Sequence, residues 1–404
     1  MKMKKLLFIV ALVGMLLFEA TAQQTVVKID TATETRISAL EKHVSLYKPG
    51  ISRLVIVGLT TFGYESDRTT TTTAGVNQTV KTSAMGSANT YEFSPMFLFR
   101  QGKKVLLEFE PSFNNDGLSV NWANISYFAL PNVIVRGGYF TLPFGMYNKK
   151  LAAGWINKMA TDPIGLPTGS DYGVGASGGL HLGSMKWNYD LSVTNGLALM
   201  ANGQLQSINL NSASRGKAFT GRLGILPFSN SSLEMGVSGM TGNVANGNAQ
   251  FQNAQSYLYA FDFNYVKNFN PIQINFKSQY NVTDISSQNY VNPGDTTRQY
   301  TFSNHTTSGY GQLAIRPIGL QNKILKNVEL AFRCANFITP AHSSFGGKTS
   351  QIDYGVNYWI NWRTVVRVTY EMMDFKSSIN PDIGNNNPLE TKKNALHIQF
   401  SIQL

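Results

Sequence analysis

Cysteine is all but missing from this chain. Cys334 is the single one in 404 residues, so no intrachain disulfide can form and a disulfide-stapled secreted domain is excluded. It reads as a small apolar strand residue. Charge is scarce too: 14% of residues are charged, against about 25% in ordinary soluble domains. Gly, Asn, Ser, Thr and aromatic residues take the vacant positions. Beyond Phe18 no apolar run approaches the roughly 20 residues that a spanning helix needs, which excludes a helical membrane protein. The five histidines, His43, His181, His305, His342 and His397, stand too far apart for metal-ligand spacing. No metal and no cofactor are expected.

Two short strings imitate catalytic motifs. Gly173-Val174-Gly175-Ala176-Ser177-Gly178 spells a dinucleotide pattern, and Gly175-Ala176-Ser177-Gly178-Gly179 spells a nucleophile elbow. Both chemistries need a strand-to-helix turn. This stretch follows a loop and runs on as a strand, where small residues relieve crowding. No Ser and His spacing supports a hydrolase at the rim. The chain is read as having no catalytic residues and as not being an enzyme.

What is abundant is alternation. Leu396-His397-Ile398-Gln399-Phe400-Ser401-Ile402-Gln403-Leu404 alternates apolar and polar without a break, as a strand with one greasy and one wet face does. Comparable runs predict sixteen strands, at 53–64, 90–100, 104–112, 118–129, 132–142, 172–182, 185–194, 215–226, 232–241, 255–267, 271–282, 298–316, 327–338, 349–361, 363–375 and 393–404. The connections sort by length. Long ones follow odd strands: Asp67 to Asn89, Pro143 to Asp171, Leu197 to Ser214, Gly242 to Ala254 and Asp284 to Thr297. Those after even strands are mostly short, as at Gln101-Gly102-Lys103, Leu130-Pro131, Gly183-Ser184 and Trp362; Pro317 to Lys326 is the longer exception. Long loops at one end and short turns at the other are the topology of an outer-membrane barrel. The predicted fold is therefore all-β: a 16-stranded antiparallel transmembrane β-barrel over 51–404, its last strand closing on Arg53 to Tyr64.

Two segments precede it. Residues 1–22 read as a signal peptide, with Lys2, Lys4 and Lys5 before the apolar stretch Leu6 to Phe18 and a cleavage site after Ala20-Thr21-Ala22. Residues 23–50 read as a periplasmic leader. Ile37, Leu40, Val44 and Tyr47 follow an a/d spacing, Thr33 or Thr35 offers a cap, and Pro49-Gly50 a stop. A short self-associating helix and an unstructured leader both fit. Export and a barrel together place the protein in the outer membrane of a Gram-negative bacterium, among lipids and lipopolysaccharide.

The two faces predict the lumen. Ile272, Ile274, Phe276, Ser278 and Tyr280 oppose Gln273, Asn275, Lys277 and Gln279. Tyr257, Tyr259, Phe261, Phe263 and Tyr265 oppose Leu258, Ala260, Asp262 and Asn264. A charge facing lipid near the midplane costs about 2–4 kcal/mol, so the charged face points inward. Strand phase then puts Arg100, Arg136, Arg222, Lys277, Arg333 and Arg367 in the lumen. With them come Glu92, Glu108, Glu110, Asp262, Glu329 and Glu371. These bases are either a track that guides anions or the inward half of ion pairs across the wall; the mixture of acids favours pairing. The loop from Pro143 to Asp171 carries Lys149, Lys150 and Lys158, stiffened by Trp155, Pro163 and Pro167. It is read as an inward constriction loop whose lysines meet the solute, the alternative being a solvated surface loop. Thr69 to Thr73 is read as a flexible surface loop. The formal charge is +11, or +9 without the signal peptide. The basic residues are scattered rather than patched, which argues against nucleic acid as a partner.

Gly138-Tyr139-Phe140-Thr141-Leu142-Pro143-Phe144-Gly145 resembles the Gly-Gln-Phe-Lys-x-Pro-Phe-Gly segment of the phosphate-selective porin O and P family. Tyr189 with Thr194-Asn195-Gly196 is similar to its Tyr…Phe-Asn-Gly segment. Gly221-Arg222-Leu223 with Pro227, Glu329-Leu330-Ala331-Phe332-Arg333 and Gly355-Val356-Asn357-Tyr358-Trp359-Ile360-Asn361 also fit, in the family's order over about 50–404. The resemblance implies a sixteen-stranded porin, a homotrimer, passing small hydrophilic or anionic solutes passively, with an anion or phosphate preference. Tyr139 and Thr141 replace the family's Gln and Lys, and Leu404 its terminal aromatic. The alternative is a non-conducting barrel acting as an adhesin, receptor or scaffold.

Overall fold

A sheet whose strands alternate apolar and polar leaves two edges of unpaired backbone. In hydrocarbon each unpaired group is costly, so the sheet must close on itself. The computed structural model describes residues 52–404, apart from 87–90, 152–155, 168, 208–215, 246–248, 252 and 381–387. It shows that closure. The expected signal peptide, the expected leader and Trp155 lie outside the described residues.

The wall has sixteen antiparallel strands. They are β1 (Ser52–Thr73), β2 in two stretches (Val76–Met85 and Glu92–Gln101), β3 (Val105–Asn114), β4 (Gly117–Leu130), β5 (Val133–Thr141), β6 (Ser170–Leu182), β7 (Met185–Thr194) and β8 (Ala218–Leu226). There follow β9 (Leu233–Asn243), β10 (Gln255–Phe269), β11 (Ile272–Ile285), β12 (Asn304–Arg316), β13 (Val328–Thr339), β14 (Gly347–Asn361), β15 (Thr364–Ser377) and β16 (Leu389–Gln403). Each pairs with its neighbours in sequence. The ring shuts where β16 meets β1, in register from Leu59 opposite Gln403 to Thr73 opposite Leu389.

Two expected boundaries move, and one expected strand stays in place. Thr69 to Thr73 is not a flexible loop: it continues β1, paired to Val76–Val80 on one side and Leu389–Lys393 on the other. A run of β-branched threonines suits a pleated, half-solvated sheet, so β1 runs on past the wall as a hairpin. The segment expected as one strand from 298 is two. Asp295–Thr301 pairs with Asn289–Asn292 in a separate hairpin, and the wall resumes at Asn304. Gly173 to Gly179 lies within β6, paired to β5 and β7, so neither motif it spells has its helix. Small residues are needed there: a Cβ on Gly173 would stand 2.2 Å from the Val193 carbonyl oxygen.

The outward row is greasy. Phe261 is 50% exposed, and Tyr257, Tyr259, Leu330, Tyr354, Val356 and Phe400 are likewise exposed. The inward partners of these residues, such as Asp262, Leu258 and Arg333, are buried. Phe261→Arg should therefore lower barrel stability by about 2–4 kcal/mol, read as a shifted urea midpoint in lipid vesicles. An unchanged midpoint would mean that this row does not face lipid.

The largest apolar core sits inside the long-loop end, against β8–β12. There Leu197, Val244, Phe251 and Phe302 from the loops pack on Leu142 and Phe144. Tyr290 stacks on Phe302 with ring centroids 4.4 Å apart.

Candidate functional site

The segment after β5 enters the barrel. At Gly145 the backbone takes φ +65°, and a Cβ there would collide with the Gln279 amide at 2.2 Å. Glycine lets the chain lie directly on the wall. Three successive N–H groups then dock: Gly145 donates to Ser238 Oγ at 3.0 Å, and Met146 and Tyr147 both donate to Gln279 Oε1, at 2.9 and 3.1 Å. A single π-turn, Tyr147–Leu151, presents Lys149 and Lys150.

The loop's second half docks on the far wall. Ala160 N–H donates to Thr369 Oγ1 at 2.9 Å and Ile164 N–H to Gln351 Oε1 at 2.9 Å. Arg333 donates to the Thr161 carbonyl and hydroxyl, at 2.9 and 2.6 Å, and Arg367 to the Asn157 carbonyl at 2.6 Å. The loop thus reaches from β9 and β11 to β13, β14 and β15. Its own fold is held by Tyr147, whose hydroxyl donates to Asp162 and accepts from Asn157 at 2.9 Å. Burial, and then the Asp162 charge, raises the Tyr147 phenol well above its ordinary value, so it remains a donor.

Most of the inward charges are partnered. Lys149 and Arg136 share Asp190, the latter at 2.7 Å. Lys150 and Arg222 share Glu234, and Arg222 also donates to Asp262 at 2.5 and 2.9 Å. Lys158 sits on Glu329 at 2.9 Å and over the Trp359 ring at 4.6 Å. Arg333 meets Asp353 at 2.6 Å. Glu371 lies 3.2 Å from Lys393 and 3.5 Å from His397. Lys277 and Arg367 instead use neutral oxygens, Asn275 Oδ1 at 2.6 Å and Ser401 Oγ at 2.6 Å. Arg100 is apart from the rest, exposed at the short-turn rim over Phe128. The acids Glu92, Glu108 and Glu110, on β2 and β3, accept from Ser94, Ser126 and Asn121. None of these three is in an ion pair among the described residues.

Two cavities flank the loop and share no lining residue. The one toward the short turns, about 380 Å³, is lined by Lys149, Lys150, Asp190, Arg222, Tyr189 and the Pro131 turn, among others. The one at the long-loop end, about 930 Å³, is lined by Gly165, Leu166 and Pro167 of the loop and by the upper wall.

Of the residues that sequence phase named, Arg136, Arg222, Lys277, Arg333, Arg367, Glu329 and Glu371 are buried, and Arg100 is exposed. Sequence phase put Gln279 and Thr369 on the polar face without their role in holding the loop. It missed Gln351, which also holds the loop, and Asp190, Glu234 and Asp353, which complete the ion pairs. Their alternation was visible, but a loop docking on them across the lumen is a long-range event that no local pattern records.

No family model and no curated protein match the chain. Solved structures do. The outer membrane channel DcaP of Acinetobacter baumannii superposes with a TM-score of 0.55 at 11% identity, over 88% of this chain and 99% of that one. The anion-selective porin from Comamonas acidovorans does so with a TM-score of 0.51 at 11% identity, over 87% and 100%. The chain has the fold of an outer-membrane channel. At such identity the likeness speaks for the fold alone, and the similarity to phosphate-selective porin O and P segments rests on those short motifs.

Among the described residues no cluster of His, Cys, Asp and Glu could hold a metal ion.

Proposed function

We propose that the protein is an outer-membrane porin for passive diffusion of small hydrophilic solutes, with a mild anion bias. The observation that carries this reading is the inward loop: it is docked across a charge-lined barrel instead of leaving a bare wall or capping it from outside. The long-loop end faces outward in this reading, and the aromatic and aliphatic outer row meets lipid and lipopolysaccharide.

The bias rests on the cavity toward the short turns, where three cations face one carboxylate. From Ile51 onward the chain also carries 27 basic residues against 19 acidic ones. It stays mild for two reasons. Glu234 already compensates Lys150 and Arg222, and Glu92, Glu108 and Glu110 line the other side. A phosphate-dedicated channel needs cations free to take an oxyanion; here each of the three loop lysines holds a wall carboxylate. The resemblance to phosphate-selective porin segments implies a homotrimer, which cross-linking in native membranes would test.

Reconstituted in planar bilayers, the protein should conduct, with a reversal potential of anion sign in a salt gradient. The double variant Lys149→Glu and Lys150→Glu should move that potential to the cation side. Absence of any current would favour the adhesin or scaffold reading, and a cation-directed wild-type potential would remove the anion bias.

A further inference from the structure

The larger cavity differs from the one toward the short turns: among the described residues, no Asp, Glu, Lys, Arg or His lines it. Its wall is instead sorted into two rows. On one side Leu258, Thr283 and Thr306 lie in register across β10, β11 and β12. On the other Phe337, Thr349 and Phe375 lie in register across β13, β14 and β15. The two phenylalanines therefore flank a threonine, and their row continues the hydroxyl row along the same wall, where Phe337 is paired with Ser308 of β12. The hydroxyls of Thr283, Thr306 and Thr349 hold no hydrogen bond with any described residue. The floor is the loop itself: Gly165, at φ +69°, lies so close to Phe337 that a Cβ would stand 2.3 Å from its ring.

We propose that this cavity is a binding vestibule for uncharged ring solutes that have one apolar face and a hydroxylated edge, the chemistry of an aryl glycoside. The inference rests on the pore reading for its consequence, that the bound solute goes on through the barrel. An ion entering here sheds hydration against walls that offer no countercharge, which is unfavourable. A ring solute loses nothing equivalent. Its flat face covers Phe337 and Phe375, and its edge hydroxyls meet threonine hydroxyls and the Gln206 amide that also lines the cavity. About 930 Å³ lies within the range of small-molecule sites. An uncharged vestibule followed by a basic inner cavity admits neutral solutes that an all-basic lumen would pass over.

The test uses full-length protein in detergent and in bilayers. Phenyl β-glucoside, phenyl phosphate and cyclohexanol are titrated by calorimetry, and each is added to the long-loop side of an open channel. Phenyl β-glucoside should bind and interrupt the current, with the phosphate and cyclohexanol each weaker by about tenfold or more. Phe375→Ala should weaken the glucoside by about tenfold and Phe375→Tyr should restore it. Heat-modifiable gel migration verifies that both variants are folded. Tighter binding of phenyl phosphate, equal binding of cyclohexanol, or an unaltered glucoside affinity in Phe375→Ala overturns the proposal. Current without glucoside binding sinks the vestibule and leaves the pore standing. Glucoside binding without any current sinks the pore and leaves the cavity's specificity standing.

Discussion

Replacing residues 147–164 by a short Gly-Ser linker should raise single-channel conductance several-fold. The segment removed lies across the lumen and is fixed at both ends. Gln279 and Ser238 hold its entry, and Gln351, Thr369, Arg333 and Arg367 hold its return. Conductance follows the narrowest cross-section, and a flexible linker cannot reproduce a set of docked N–H groups that excludes water. The wall itself should persist. Its strands pair through the backbone from β1 round to β16, and closure does not depend on what fills the interior. Most of the exposed partners also keep a second contact: Glu329 still accepts from Asn357 at 3.0 Å and Trp359 at 3.3 Å, and Arg333 still holds Asp353. The measurement is planar-bilayer conductance together with the size of polyethylene glycol that enters the pore. An unchanged conductance would place the narrowest point elsewhere and end the constriction reading of this loop.

The wall was legible because its physics is local. Period-two alternation needs only neighbours in sequence to be seen, and lipid punishes every departure, so Ile272 to Tyr280 or Tyr257 to Tyr265 could have only one orientation. The sorting of long loops and short turns then left a closed barrel as the consistent topology. Where the chain leaves lipid the same rule loses its force. Thr69 to Thr73 is polar on both faces, and nothing in its pattern separates a solvated strand from a loop; only pairing to Leu389–Lys393 decides it. Around Phe302 the aromatic residues are buried by loops from other parts of the chain, so their surface packing reads in sequence as one more strand. The loop lysines show the limit most clearly. Lys149, Lys150 and Lys158 were visible as charges near a turn, whereas their acids lie 41, 84 and 171 positions away in sequence. Spacing along the chain carries no information about such partners.

The second large effect should come from Asp353→Ala. Asp353 and Arg333 face each other directly across β13 and β14, both with no exposure to water. The guanidinium meets one carboxylate oxygen through two nitrogens, at 2.7 and 2.6 Å, and uses its remaining donors on Thr161 of the loop. Removing the carboxylate strands a desolvated cation, a change that costs about 3–5 kcal/mol. Barrel unfolding in urea should shift accordingly, far more than for a surface pair such as Lys376 with Glu390, whose exposed contact at 3.4 Å is worth about 0–1 kcal/mol. The double variant Arg333→Met and Asp353→Leu separates the pair's two roles. Replacing both ions by apolar groups of similar size is close to neutral or stabilising for the wall, so the unfolding midpoint should recover. The anchor on Thr161 does not recover, because methionine cannot donate to it. The double variant should therefore be as stable as the wild type yet noisier and more conductive. A double variant that is stable and also conducts as the wild type would show that Arg333 serves the wall alone, with the loop held by Gln279, Gln351, Thr369 and Arg367.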